Sequence, residues 1–386
     1  MNAGGPKNPI PALPSDGRYG RYALGSRSAS GSPFLHEVTM EERRLLRRER
    51  LTPLTYLALI LILIFTLILC VCVGSVSISL SDTATVIGHA VRGLPAPEIM
   101  AKNIILNVRL PRVLCVALAG AALSLCGAVM QGLLRNPLAD GSTLGVSSGA
   151  ALGAIIAVAT GFTLPNFSYG GSMILAMAFA FGSLVLILSL AYTLDRSLST
   201  GSIILIGVIF TMFTSAIISL IITFASDHTR TLSFWTMGSF SGVNYDQVCI
   251  LALTLGICGG ILFRFSPELN AFAIGEDNAR HIGVNVRRVR LILLITVSVL
   301  IGVCVSISGT VSFVGLIMPH IARMLVGPNH RRLLPAAMFS GAIFLLLADL
   351  TARTLLSPIE LPIGVVTSLV GAVAFIIIFY RSRKAG

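Results

Sequence analysis

Two ionisable residues lie inside an apolar stretch near the C-terminus, Asp349 and, four positions later, Arg353. This spacing places an acid and a base on one helix face, where they can form a local ion pair. A charge within a membrane span is also a functional candidate, for example in proton transfer. Both interpretations stay open, and the spacing favours the structural pair. An ion-driven pump would carry more buried charge, so the energy for any transport comes from elsewhere.

The sequence lacks the motifs of common catalytic sites. It has no GxxxxGK[ST] phosphate loop, no HExxH and no GxSxG, and the apolar runs hold no cluster of carboxylates and histidines. All seven cysteines lie in or beside apolar runs, without a CxxC pair. We therefore expect a chain that is not an enzyme and that binds neither a metal ion nor a cofactor.

One polar segment of 25 residues, from Ser266 to Arg290, interrupts the apolar sequence. It is rich in Glu, Asp, Arg and His, and Gly275 and Gly283 divide it into pieces about two helical turns long. The simplest prediction is two short helices joined by glycine bends, presented as a docking surface for a soluble partner. The alternative is an ordinary solvated loop. We call Ser266–Arg290 the platform.

The composition requires a membrane protein. Of 386 residues, 55% are hydrophobic and 11% are charged, about half the charged fraction of soluble domains. A helix needs about 20 apolar residues to cross the hydrocarbon core. The runs that qualify predict an all-α, polytopic protein with ten spans, of which the third and eighth are short or broken by glycine: 54–74, 113–134, 143–161, 172–194, 202–225, 248–265, 289–309, 311–326, 334–357 and 362–380.

Lys and Arg fall unequally on the two sides of this ten-span arrangement. With the N-terminus inside, the inner segments hold 22 of these residues and the outer segments hold 6. Because cytoplasmic loops retain cations, both termini and the platform are predicted to be cytoplasmic. The net charge of +12 is then explained by one membrane face and requires no nucleic acid.

The N-terminal 49 residues differ from the rest. Residues 1–36 are rich in Gly, Pro and Ser, which predicts a disordered tail. Thr39 and Glu42 fit a capping box, and the basic run after them predicts a short helix that ends before Pro53 and lies on the anionic lipid of the inner leaflet. Met40 is an alternative start of translation. The predicted division is 1–49 for tail and basic helix and 50–384 for the transmembrane domain.

A shift of 182 residues superimposes a set of small or helix-breaking residues on a second set. Gly120, Ser124, Gly127 and Pro137 coincide with Gly302, Ser306, Gly309 and Pro319. In the ten-span arrangement the two copies run in opposite directions, which predicts an inverted repeat as in many transporters. Glycines at spacing four, in 145–153 and at Gly256 and Gly260, predict close helix packing.

Five strings resemble the FecCD permeases, the membrane subunits of ATP-driven importers for ferric siderophores, haem and cobalamin. They are GAALSLCGAVMQGLLRNPLADGSTLGVSSGAALGA (120–154), GSFSG (238–242), LNAFAIGEDNARHIGV (269–284), SGTVSFVGLIMPHIARMLVGPNHRRLLP (308–335) and LADLTARTLLSPIELPIGVVTSLVGA (347–372). The resemblance covers about residues 50 to 384. It departs at Gly141 and Val373, where the family commonly has proline.

The resemblance implies an inverted-repeat, type II ABC importer permease fold in a bacterial cytoplasmic membrane. It implies a homodimer or a pseudo-heterodimer of ten-span permease subunits, with the homodimer as the preferred form. Two ATPase subunits lie below this dimer and one substrate-binding protein lies above it. ATP is then used by the partner, and this chain binds no cofactor. The expected cargo is a ferric siderophore, with haem and cobalamin as alternatives.

The resemblance also assigns roles to individual residues. Contact with the ATPase is expected at Gly275, Glu276, Ala279, Arg280 and Gly283. Docking of the binding protein is expected at Arg109, Arg112 and Arg353, and the cytoplasmic gate at Asn136, Leu138, Ser199 and Thr200. For Asn136 and for Arg109 with Arg112, plain turn chemistry and headgroup anchoring are the alternatives.

The competing class is a secondary transporter or a membrane scaffold without an ATPase. It predicts that a charge reversal on the platform, Arg280→Glu with Glu276→Arg, leaves transport intact. Coupling to an ATPase predicts loss of transport with normal membrane insertion, because reversed charges disrupt a docked interface.

Overall fold

The computed structural model describes residues 40–74, 76, 78–92, 100–141, 145–164, 170–194, 200–225 and 229–384. The predicted disordered tail and Ser199 lie outside these residues. Within them the chain is helical, with no β-strand. The helices are α1 Met40–Cys72, α2 Leu80–Val91, α3 Met100–Asn103, a π-helical turn Ile104–Arg109, α4 Leu110–Leu134, α5 Val146–Thr160, α6 Gly170–Leu194, α7 Thr200–Phe224, α8 Thr229–Thr236, α9 Tyr245–Arg264, α10 Ser266–Ile274, α11 Glu276–His281, α12 Val286–Ser308, α13 Val314–Val326, α14 His330–Thr354 and α15 Ile363–Lys384.

Each of the ten predicted spans corresponds to one apolar helix. Seven helices of the described residues are long and apolar enough to cross a membrane, and three further apolar helices are shorter. The shorter ones are Val146–Thr160, Val314–Val326 and Ile363–Ile377. Two of these are the spans that the sequence marks as short or glycine-broken. The all-α, polytopic fold class is therefore confirmed.

The first helix is longer than predicted. By internal contacts the chain divides into two units, Met1–Leu46 and Arg47–Gly386. Helix α1 contains Pro53 and continues through it. The division into a tail with a basic helix, 1–49, and a transmembrane domain, 50–384, stays a prediction. Pro53 removes one backbone hydrogen bond. The apolar run after it sustains the helix, because backbone groups in lipid must be satisfied within the helix. The predicted contact with the inner leaflet stays a prediction.

Helix contacts in the second unit are repeated between an N-terminal half, α4–α7, and a C-terminal half, α12–α15. Helix α4 packs on α13 and α14, and α12 packs in the same way on α5 and α6. Within each half, α5 packs on α6 and α13 on α14, while α9 contacts both α4 and α12. Exchanging α4–α7 with α12–α15 preserves these contacts. This is the pattern that the predicted internal repeat requires.

Glycines allow the closest of these contacts. A Cβ at Gly120 would lie 2.4 Å from the carbonyl oxygen of Gly341, and one at Gly127 would lie 1.9 Å from that of Gly315. These are backbone contacts of α4 with α14 and α13, the kind that only small residues permit. Gly149 and Gly153 pack in the same way on α6, as predicted.

The other glycine pair makes no such contact within the described chain. No atom of the described chain lies within 4 Å of a Cβ built at Gly256 or Gly260. Spacing four identifies a face of small residues, but it does not say what covers that face.

This difference gives a matched pair of substitutions. Gly120→Ala should destabilise the protein by about 1–3 kcal/mol, the usual cost of overpacking, because the new methyl group meets the backbone of α14. Gly256→Ala, on the open face of α9, should change stability by less than about 1 kcal/mol. Thermal unfolding of the two detergent-solubilised variants measures both. Equal midpoints would contradict the close contact of α4 with α14.

Candidate functional site

The platform is folded as two short helices. Helix α10 ends at Gly275, which has φ +134°, and α11 is followed by Gly283, which has φ +90°. Residues that carry a side chain rarely adopt such backbone angles, so both bends favour glycine. The prediction of two short helices joined by glycine bends is confirmed.

The predicted ATPase-contact residues differ in their exposure. The side chain of Arg280 is 57% exposed and that of Glu276 is 24% exposed, and the two form an ion pair at 3.7 Å. Arg280 also pairs with Asp277 at 3.3 Å. Ala279 is fully buried, so its side chain packs inside the protein and offers no surface to a partner. Its predicted contact with the ATPase stays a prediction.

Two isoleucines are the exposed large aliphatic side chains of the platform. Ile274 is 72% exposed and Ile282 is 69% exposed, although both lie outside the predicted spans. The sequence analysis assigned partner contacts to charged and small neighbours and none to these two isoleucines. The available signal is a repeated Ile-Gly pair, Ile274–Gly275 and Ile282–Gly283, at a spacing of eight residues. An aliphatic side chain held in water beside a rigid bend is typical of a protein-binding surface.

The platform is attached to the bundle at two places. Helix α10 buries Leu269 and Phe272, and it contacts α4 and α14. Helix α11 is held by an ion pair between Glu276 and the buried Arg290 of α12. Together the attachments reach both halves of the internal repeat, α4 in the first and α12 and α14 in the second.

The loop after α4 lies at the platform end of that helix. Arg135 ends the helix in the left-handed conformation, with φ +48°. Asn136 Oδ1 then accepts a hydrogen bond from the backbone N of Leu138 at 2.9 Å. This is plain turn chemistry. Leu138 is exposed, Thr200 begins α7, and Ser199 lies outside the described residues. The gating role of these residues stays a prediction.

A cavity of about 190 Å³ lies between the two halves, at the first residues of α5 and α13. Polar groups from both halves line it: Asp140, Ser147, Ser148, Thr310 and Ser312. Cavities that bind drug-sized ligands are usually about 300–1,000 Å³. This cavity is too small for a whole metal chelate. The side chains that line it place polar groups near the centre of the fold.

At the opposite end of the bundle a buried charge network joins α4 to α14. Asp349 Oδ1 accepts hydrogen bonds from Nε of Arg112 at 3.1 Å and from its Nη2 at 3.0 Å. Asp349 Oδ2 lies 2.9 Å from Nε of Arg353, an ion pair without hydrogen-bond geometry. Arg112 Nη1 also donates to Glu360 Oε2 at 2.8 Å. The predicted Asp349–Arg353 pair is confirmed as part of this network.

The third arginine of this end binds a helix terminus. Arg109 Nη1 donates to the carbonyl oxygens of Val71 and Cys72, both at 2.9 Å, and Nη2 donates to that of Val76. The carbonyl end of a helix favours a cation, so Arg109 secures the end of α1.

The three arginines predicted to dock the binding protein are buried in the described chain. Arg109, Arg112 and Arg353 are 4%, 7% and 3% exposed, because each finds acceptors within the chain. Glu360, whose side chain is 34% exposed, is the accessible member of the network. Contact of the three arginines with a binding protein stays a prediction.

A model of the FecCD transport family matches residues 62–381, which includes both halves of the repeat and the platform. The chain belongs to the FecCD transport family. It is therefore an ABC importer permease, a multi-pass inner-membrane protein whose role is transport.

Known transport proteins are similar to this chain over most of its length. An uncharacterised ABC transporter permease protein, YvrB of Bacillus subtilis, is 45% identical over 74% of this chain and 81% of its own length. The vitamin B12 import system permease protein BtuC of Klebsiella pneumoniae is 40% identical over 72% of this chain and 83% of its own. A solved metal-chelate type ABC transporter, in an inward-facing conformation, is 34% identical with a TM-score of 0.74, over 85% of this chain and 99% of its own.

Proposed function

We propose that this chain is the permease subunit of an ATP-driven importer that carries a ferric siderophore across the cytoplasmic membrane by alternating access. The observation that supports the proposal best is the double attachment of the platform. Helix α10 contacts α4 of the first half and α14 of the second, while α11 is fixed to α12 of the second half. A protein that moves this surface can move the halves against each other.

The partner that fits the platform is an ATPase subunit. The platform presents Ile274 and Ile282 together with exposed charges, which is the usual composition of a docking surface with an apolar centre and a polar rim. ATP binding and hydrolysis in two such subunits would supply the energy, and this chain would bind no ATP. A substrate-binding protein would deliver the cargo at the opposite end.

The cargo pathway is best placed between two copies of the chain. The cavity of about 190 Å³ between the two halves is below the usual size for a drug-sized ligand, and a second, more open one of about 380 Å³ lies beside Thr236, Gly364 and Ser368. Helix α7 exposes many large apolar side chains, among them Leu205, Met212 and Phe213. A homodimer could cover part of this face and enclose a pathway, while lipid covers the remainder.

An iron chelate is the proposed cargo, with haem and cobalamin as alternatives. The solved relative of the metal-chelate type, at 34% identity, supports a chelate. The vitamin B12 permease, at 40% identity, favours cobalamin as the first alternative.

Uptake measurements test this proposal. Cells that lack the chain, and the same cells with it restored, receive radiolabelled iron as separate siderophore chelates and as haem, and radiolabelled cobalamin in parallel. We expect uptake of one ferric siderophore to be lost and then recovered. Loss confined to haem or to cobalamin would replace the proposed cargo by that compound. Unchanged uptake of every compound would contradict import of this class.

A further inference from the structure

Asn270, on α10, uses both polar atoms of its side chain at the start of α14. Its Oδ1 accepts a hydrogen bond from the backbone N of His330 at 2.8 Å and lies 2.8 Å from Nδ1 of the His330 ring. Its Nδ2 donates to Oδ1 of Asn329 at 3.0 Å. Asn329 itself caps α14, since its Oδ1 accepts from the backbone N of Arg331 at 3.0 Å. The first turn of α14 is thus held by its own cap and by a side chain of the platform.

His330 carries this contact to α4. Its side chain is buried, and its Nε2 faces Gly132: a Cβ at that position would lie only 2.4 Å away. The imidazole ring therefore lies directly against the backbone of α4, where a larger residue would clash. Because protein interiors are close-packed, a displacement of this ring displaces α4 as well.

The residue before Gly132 connects α4 to the cavity. Gln131 Nε2 donates to the carbonyl oxygen of Leu316 at 2.9 Å and to that of Gly315 at 3.4 Å, both in the first turn of α13. Gly315 also lines the cavity between the two halves. Side-chain contacts thus run from α10 through α14 and α4 to the start of α13.

The second helix of the platform has a separate attachment. Glu276, the first residue of α11, pairs with Arg290 of α12, which packs on α6. Gly275 lies between the two attachments with a backbone conformation that favours glycine. A rotation of α11 about Gly275 would therefore move α12 relative to α4 and α14.

We propose that Asn270 is a positioning residue that joins the platform to the α4–α14 pair and so transmits movement of the platform to the centre of the fold. This inference rests on the proposed function, because it requires an ATPase subunit that moves the platform. Leu269 and Phe272 hold α10 against the bundle by apolar burial. Asn270 instead binds His330 through two hydrogen bonds, so a movement of α10 displaces His330 in a defined direction.

The experiment measures how fast a cysteine introduced into the cavity reacts with a thiol reagent. Ser312, an exposed residue lining the cavity, is changed to cysteine in the complex of the full-length chain with its ATPase subunit. The labelling rate by N-ethylmaleimide is measured in ADP and in a non-hydrolysable ATP analogue. The same complex without the new cysteine supplies the background from the native cysteines. In the parent we expect the two nucleotides to change the rate by about tenfold.

Three further variants are compared in this parent. Asn270→Ala removes the bonds to His330 and to Asn329. Asn270→Asp keeps an oxygen acceptor for both bonds to His330 but loses the donor to Asn329. Asn329→Ala removes the local cap and the bond to Asn270 but keeps both bonds to His330. We expect Asn270→Ala to reduce the nucleotide effect to less than about twofold while ATP hydrolysis continues. Asn270→Asp and Asn329→Ala should keep most of the effect.

Retention of the effect in Asn270→Ala would overturn the proposal. Its equal loss in all three variants would do so too, since a general weakening of α14 would then explain it. If the Asn270→Ala variant does not assemble with the ATPase subunit, the Asn270→Asp variant provides the test. Retention of the nucleotide effect in that variant supports the proposed role of Asn270, and loss of the effect overturns it. Failure of the proposed function looks different, because the parent complex would then bind no ATPase subunit or show no nucleotide effect, and the inference would fall with it.

Discussion

Asp349→Asn is expected to lower the stability of the protein by about 3–5 kcal/mol, the usual cost of removing one partner from a buried ion pair. Asp349 is 1% exposed and contacts both Arg112 and Arg353. Without its charge, two guanidinium groups stay buried, Arg112 with Glu360 as a remaining acceptor and Arg353 with the carbonyl oxygen of Cys70. Thermal unfolding of the detergent-solubilised variant, together with its yield in membranes, measures the loss.

Two further variants separate charge pairing from other roles of Asp349. Glu360→Gln, at the more exposed end of the network, should cost no more than about 1 kcal/mol. Asp349→Leu combined with Arg112→Met and Arg353→Met should recover much of the stability, because apolar residues often replace a buried charge cluster without loss. A role in proton transfer predicts instead that Asp349→Asn abolishes transport at unchanged stability, and that result would contradict the structural interpretation.

This network also shows how far the sequence predicts the fold. The Asp349–Arg353 pair is predictable because the two residues are four apart on one helix, where geometry is fixed by helical period. Arg112 lies 237 residues from Asp349, and no local pattern connects them. The helices themselves are predictable from apolar runs, since the bilayer sets their length. Their pairing emerges only in the structure.

Exposure is the property that the sequence predicted least well. In a soluble protein an apolar residue points to the core, but in a membrane protein lipid and protein neighbours are equally apolar. Gly256 and Gly260 therefore look like packing residues in sequence and face open space in the described chain. On the platform the exposure also differs from what residue type suggests: the small Ala279 is buried, while the large apolar Ile274 and Ile282 are exposed. Short helices give too few turns for a period to settle such assignments.

The exposed isoleucines give the second large effect. Ile274→Asp with Ile282→Asp should weaken binding of the ATPase subunit at least about 30-fold, the effect of losing about 2 kcal/mol at an interface hot spot. The reason is that both side chains are more than two-thirds exposed and are the large apolar groups of a charged surface. Binding is measured by titrating the purified ATPase subunit onto the permease in lipid nanodiscs, and uptake of the cargo is measured in parallel.

A charge reversal at Glu276 and Arg280 tests the same surface less cleanly. Glu276 holds the buried Arg290, so Glu276→Arg would also break an attachment of the platform to α12. The isoleucines point outward, and their replacement leaves this ion pair in place. His281→Ala, an exposed neighbour on α11, serves as the matched control and should change binding less than about threefold. If the aspartate variant binds the ATPase subunit as well as the control does, the docking surface lies elsewhere, and the competing class without an ATPase gains support if uptake also persists.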